Sequence, residues 1–140
     1  MISTVAVGTD GSATAGEAVS VAADLARAWD AKLVLLSAFQ DGGAVAGAGG
    51  SVEMQWASSS SARTREVLAR TEDDMRRAGI ECTSLIDEGD PAEVLVRLAG
   101  ECDADVLVIG NKGMKRRVLG SVPNSITHKA PCSVFVVKTT

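Results

Sequence analysis

Three short stretches of this sequence combine residues suited to holding a small anion. Thr9-Asp10-Gly11-Ser12 joins two hydroxyls, a carboxylate and a glycine. Gly110-Asn111-Lys112-Gly113 sets two glycines around an amide and an ammonium, and Gly120-Ser121 follows after a basic stretch. Glycine lets backbone N–H groups approach a ligand closely, and the free N–H groups and positive dipole end of a helix start favour an anion. Lys112, Lys115, Arg116 and Arg117 place four cations between these glycines, in a chain of net charge −4. They suit phosphate neutralisation, and they equally suit a solvated turn. Asp10 is suited to a ribose hydroxyl, to a divalent cation such as Mg²⁺ held through water, or to a turn contact with Ser12. Ser121 can donate to a phosphate, cap the following helix, or do both.

Other chemistries lack their parts. There is no GxxxxGK[ST] and no GxGxxG after the first strand, which excludes a Walker-type site and disfavours a standard dinucleotide site. There is no GxSxG elbow. His128 is the single histidine and sits where a helix end is expected. No catalytic residue is assigned, and at most a weak ATPase is expected, with Asp10 as its one candidate base. Cys82, Cys102 and Cys132 are odd in number and far apart, so neither a disulfide framework nor a zinc site is expected. They read as buried small hydrophobes.

Composition narrows the partners. Asp plus Glu is 18 against 14 Lys plus Arg, an acidic balance that argues against nucleic acid. Two Trp, two Phe and no Tyr cannot build a base-stacking platform. No apolar run approaches the ~20 residues of a membrane helix. The first residues, Met1-Ile2-Ser3-Thr4-Val5, lack the basic and apolar regions of a signal peptide. The expectation is one cytoplasmic domain over residues 1–140.

The elements that position these stretches alternate. Residues 2–9 read as a strand, followed by a helix with Ala15, Ala18, Val19, Ala22 and Leu25 on one face. Thr14 and Glu17 have capping-box spacing at its start. Residues 32–39 form a second strand. Residues 40–57, with Gly42, Gly43, Gly47, Gly49 and Gly50, predict a flexible Gly/Ala-rich loop. A second helix carries Val67, Leu68, Thr71 and Met75 on its inner face and stops at Gly79. Residues 80–87 are the third strand. Asp90 as N-cap, Pro91 at N1 and Glu93 open a third helix, with Val94, Leu95 and Leu98 inward. Residues 105–109, a short helix over 122–129 and a strand over 133–138 complete the chain. Strands that are continuous apolar runs mark a parallel sheet covered by helices on both faces. In such a sheet, ligands sit beyond the strand carboxyl ends where strand order reverses.

Over its whole length the sequence resembles the universal stress protein family. The resemblance rests on Val7-Gly8-Thr9-Asp10-Gly11-Ser12, Gly89-Asp90-Pro91-Ala92, Val108-Ile109-Gly110-Asn111-Lys112-Gly113 and Leu119-Gly120-Ser121-Val122-Pro123. It implies an α/β three-layer open sandwich, Rossmann-like and akin to the adenine nucleotide alpha hydrolases, with a five-stranded parallel sheet of order 3-2-1-4-5. One branch of the family binds ATP through G-x2-G-x9-G-[ST]. Carried over, Gly110, Gly113, Gly120 and Ser121 surround the phosphates and ribose, with Val122 at the phosphate end. Asp10 meets the ribose or a metal, and Gly8, Thr9, Ala38 and Ile109 lie near the adenine. Six residues rather than nine separate Gly113 from Gly120, so the loop is three residues shorter. Some members bind cyclic AMP, and others bind no nucleotide and act as interaction modules. The resemblance also implies a homodimer through the last strand. Val134, Phe135, Val136 and Val137, without internal charge or Pro, independently suit edge pairing. The function expected is adenine nucleotide binding, ATP first, for stress response.

Overall fold

Apolar β-branched runs form strands because both their faces can be buried, and here the helices between them supply both covers. The computed structural model describes residues 1–40, 60–111 and 120–139, without the side chain of Thr14. Most of the predicted glycine-rich loop, together with Lys112, Gly113, Lys115, Arg116 and Arg117, lies outside the described residues. The elements are β1 (Thr4–Gly8), α1 (Ala13–Trp29), β2 (Lys32–Phe39), α2 (Ser61–Arg77), β3 (Cys82–Glu88), α3 (Pro91–Glu101), β4 (Val106–Asn111), α4 (Ser121–Lys129) and β5 (Ser133–Lys138). All strand pairs are parallel, in the order β3-β2-β1-β4-β5. The chain therefore winds outward in both directions from the β1–β4 pair, and the strand order reverses there. That pair is short: its register runs only through Val5↔Val106, Ala6↔Leu107 and Val7↔Val108.

Alternation along each central strand splits the core into two layers. Val5, Val7, Leu33, Leu35, Val106 and Val108 pack with α1 and with Leu68 of α2. Ala6, Val34, Leu36, Leu107 and Ile109 pack with Leu95 and Leu98 of α3 and Ile126 of α4. The alanines of α1, Ala18, Ala22 and Ala26, bury completely or nearly so and let that helix lie close to the sheet.

Several boundaries differ from the sequence expectation, each for a local reason. β1 begins at Thr4, two residues late, because the Asp105 carboxylate intercepts the chain. Its Oδ2 accepts the Ser3 and Thr4 N–H groups at 2.8 and 3.0 Å. Those bonds hold the Asp105 carboxyl below the usual carboxylate range. The α1 N-cap is Ser12, whose Oγ accepts the Ala15 N–H at 3.2 Å. Thr14 is thus already inside the helix, and the Thr14/Glu17 capping box does not mark its start. β4 continues through Gly110 and Asn111, which register with Val137 and Lys138. Of the cysteines only Cys82 is buried, while Cys102 and Cys132 are half-buried, so the expectation of three buried thiols is corrected. Burial, with Glu72 nearby, pushes the Cys82 thiol up to about 11. The Asp90 cap of α3 stands as read, with the Asp90 carboxylate accepting the Glu93 N–H at 3.1 Å.

The three turns from α1, α2 and α3 into the next strand share one hydrogen-bond pattern. At the α2 end, the Ile80 N–H reaches the Met75 carbonyl and the Gly79 N–H reaches Arg76, around Gly79 at φ +82°. This is a Schellman motif. The α1 and α3 ends repeat it around Asp30 (φ 53°) and Asp103 (φ 52°), where no glycine stands.

Candidate functional site

The turn after β1 is tied down by its own short polar side chains. The Thr9 N–H donates to the Leu36 carbonyl at 2.9 Å, and the Thr9 carbonyl accepts the Ser37 hydroxyl at 2.7 Å. Thr9 Oγ1 accepts the Gly11 N–H at 3.2 Å, and Asp10 Oδ1 accepts the Ser12 N–H at 2.9 Å. The last bond is an Asx turn. It is the turn contact anticipated for Asp10, and it leaves Oδ2 without a donor among the described residues. Gly11 is required twice over. Its φ is +82°, and a Cβ there would stand 2.8 Å from Val67 Cγ1 of α2.

Across the seam, β4 ends in Gly110 and Asn111, and α4 begins with Gly120 as N-cap. Ser121 is the first helical residue, not the cap, because Gly120 already occupies that place. Gly120 has no side chain, so it gives the first turn of α4 no cap hydrogen bond of its own. Asn111 Oδ1 accepts the Gly120 N–H at 3.1 Å, which pins the helix start to the end of β4. This first turn and the Asp10 turn each follow the carboxyl end of one of two paired strands, β4 and β1.

The sequence-predicted residues that are described fall into three local groups. Thr9, Asp10 and Gly11 line a small cavity of about 20 Å³ with Ser37, Arg63, Thr64, Val67 and Leu68. It has room for one water molecule. Ala38, Ile109 and Val122 instead lie buried in the layer under α3 and α4. Gly8 is buried too, and a Cβ there would stand 2.9 Å from Leu95 Cδ1, so helix packing by itself already calls for a glycine. Gly110, Gly120 and Ser121 lie at the β4–α4 junction.

Sequence reasoning missed Ser37, Arg63 and Thr64. Ser37 carried a signal, a lone hydroxyl in the apolar run Leu33-Val34-Leu35-Leu36-Ser37-Ala38. Its partner is 28 residues away, so only the fold reveals the bond. Arg63 and Thr64 reach the cavity from the first turn of α2, and nothing local marks them. Among the described residues no group of three or more His, Cys, Asp or Glu is placed to hold a metal. No helix there is long and apolar enough to cross a membrane.

Of the last strand, Phe135 is 44% exposed while Val137 is buried in the core of its own chain. Val134 and Val136 are half-buried against the α3/α4 layer.

Residues 1–138 match the model of the universal stress protein family. A universal stress protein of Mycobacterium tuberculosis (strain H37Rv) is 37% identical over 144 aligned positions, covering 98% of this chain and 97% of that protein. The crystal structure of a universal stress protein in complex with cAMP is 32% identical, with a TM-score of 0.76 and 99% of each chain covered. An Arabidopsis thaliana family member with AMP bound has a TM-score of 0.72 at 22% identity, over 99% of this chain and 92% of that one, a likeness of fold.

Proposed function

This chain belongs to the universal stress protein family, and we propose that it acts there by binding an adenine nucleotide across the β1–β4 crevice. The observation that carries the reading is the pairing of two features at one reversal point. An ordered turn offers Asp10 on one side, and a helix start at Gly120-Ser121 whose N-cap has no side chain offers N–H donors on the other. A ribose hydroxyl suits the first and a phosphate the second. By the family resemblance, the adenine would lie against the strand ends at Gly8, Thr9, Ala38 and Ile109, and the phosphate near Val122. Gly113, Lys112, Lys115, Arg116 and Arg117 complete the phosphate side by sequence.

Among the nucleotides, cyclic AMP is favoured by the relative at 32% identity that holds it, and ATP is the other form to test. A Mg²⁺ ion accompanying ATP would meet Asp10 through water. The mechanism is binding and signalling in the cytoplasm, without turnover. The free β5 edge, with Phe135 outward, supports a homodimer paired through Val134, Phe135, Val136 and Val137. Isothermal titration with cyclic AMP, AMP and ATP with Mg²⁺ tests the reading. Saturable binding of at least one is expected, and no heat at millimolar ligand refutes it. Sedimentation velocity reads the dimer.

A further inference from the structure

Asn111 is fully buried at the end of β4, and its Oδ1 is engaged by the Gly120 N–H. A backbone N–H can be met only by the oxygen of a carboxamide, so this bond fixes which way the amide points. The two N–H bonds of Nδ2 therefore lie on the other arm of the same planar group, beside the mouth of α4. No acceptor among the described residues meets them. A buried donor left without an acceptor is costly, and an apolar side chain of similar volume would avoid that cost. The other unmatched groups at this spot have the same sign. The α4 amino end has no side-chain cap, and its dipole is positive there. The Nδ2 donor and the helix start lie close together, and among the described residues no side-chain acceptor answers either beyond the Asn111 Oδ1 already on Gly120. The chemistry that answers them is an anionic oxygen with several lone pairs, as on a phosphoryl group.

We propose that Asn111 is a specificity-determining residue of the crevice. Oδ1 holds the α4 N-cap against β4, while Nδ2 donates to a phosphoryl oxygen of the bound ligand. The site thereby selects phosphate esters over uncharged nucleosides. This rests on the crevice reading for the ligand's place, but not on the adenine.

Asn111→Asp keeps the shape and the acceptor for Gly120 while replacing the donor by a carboxylate oxygen. AMP and cyclic AMP affinity should fall on the order of tenfold or more, the worth of a hydrogen bond to a charged group. Adenosine affinity should stay as in the parent. An Asn111→Asp chain that holds AMP as tightly as the parent overturns the proposal. Because a buried carboxylate burdens the fold, the unaltered chain supplies a second measurement. Inorganic phosphate is titrated against ¹⁵N-labelled protein while the Asn111 side-chain amide protons are followed by NMR. Saturable downfield movement supports the assignment, and protons unmoved at tens of millimolar phosphate overturn it. If those protons move while adenosine and AMP do not differ from buffer in titration, the phosphoryl assignment stands and the adenine reading falls.

Discussion

Gly8→Ala separates two reasons for a glycine at the end of β1: close approach to a ligand, or close approach of a helix. The added Cβ would stand 2.9 Å from Leu95 Cδ1, 3.5 Å from Leu95 Cδ2 and 3.7 Å from Ile109 Cγ2. Leu95 is 0% exposed and Ile109 is 4% exposed, so neither has open space to yield into. Over-packing of this kind costs about 1–3 kcal/mol. Alanine recovers about 0.5–1 kcal/mol through its smaller entropy loss in a strand. The net loss is about 0–2.5 kcal/mol, centred near 1 kcal/mol, read as a lower urea midpoint at unchanged slope. Leu95→Ala alone costs about 2–5 kcal/mol through the cavity it leaves. In that background the Gly8→Ala methyl enters the cavity, so its penalty should vanish or reverse. A double-mutant cycle of urea unfolding curves measures the coupling. A Gly8→Ala penalty equal in both backgrounds, within about 0.5 kcal/mol, refutes the packing argument. So does a variant of parental stability that no longer binds cyclic AMP, because the glycine would then serve the ligand.

The two left-handed aspartates give an internal comparison. Asp30→Gly and Asp103→Gly should each stabilise by about 0.5–1 kcal/mol, while Gly79→Asp at the equivalent turn should destabilise by a similar amount. Thermal midpoints read both signs, and a destabilised Asp103→Gly would show that its carboxylate serves another purpose. Asp105→Asn weakens the acceptor that ties Ser3 and Thr4 to β4. The Asp105 carboxyl lies below its ordinary value in the fold, so its contribution is present above the unfolded carboxylate range and is lost as pH falls through the lower folded value. Parent and Asp105→Asn thermal midpoints should therefore differ at pH about 7 and converge toward pH about 2, and a gap that widens in acid would contradict the assignment.

What could be read ahead of the fold was whatever is local. The Asp90-Pro91 helix start is written in consecutive residues, and the Gly79 stop likewise. The 32–39 strand was placed to the residue because its apolar run is bounded on both sides. The misplacements arose where a distant group or a competing local choice decided. Asp105 sets where β1 begins from 101 or more residues away. Ser12 and Thr14 are both good caps, and the Asp10 turn decides for Ser12. Asp30 and Asp103 gave no warning because glycine is the expected residue at such turns. At the proposed site, the Asp10 turn and the Gly120-Ser121 helix start were legible as local structure from residue type. The Gly8–Leu95 approach and the stranded Asn111 amide were not, since both depend on which strand neighbours which helix.

The shortness of the β1–β4 ladder has a mechanical side. Within the sheet β5 pairs with β4 alone, and β4 is laced to β1 through three register pairs. α1 lies against both strands and acts as the axle beneath that joint. On the β4 side of that joint the sheet ends one strand away, whereas on the β1 side it runs two strands further, to β3. The exposed edge with Phe135 is thus the sheet edge nearer the crevice, and a partner strand docked there would lie with β5 alone between it and β4, which flanks the proposed ligand.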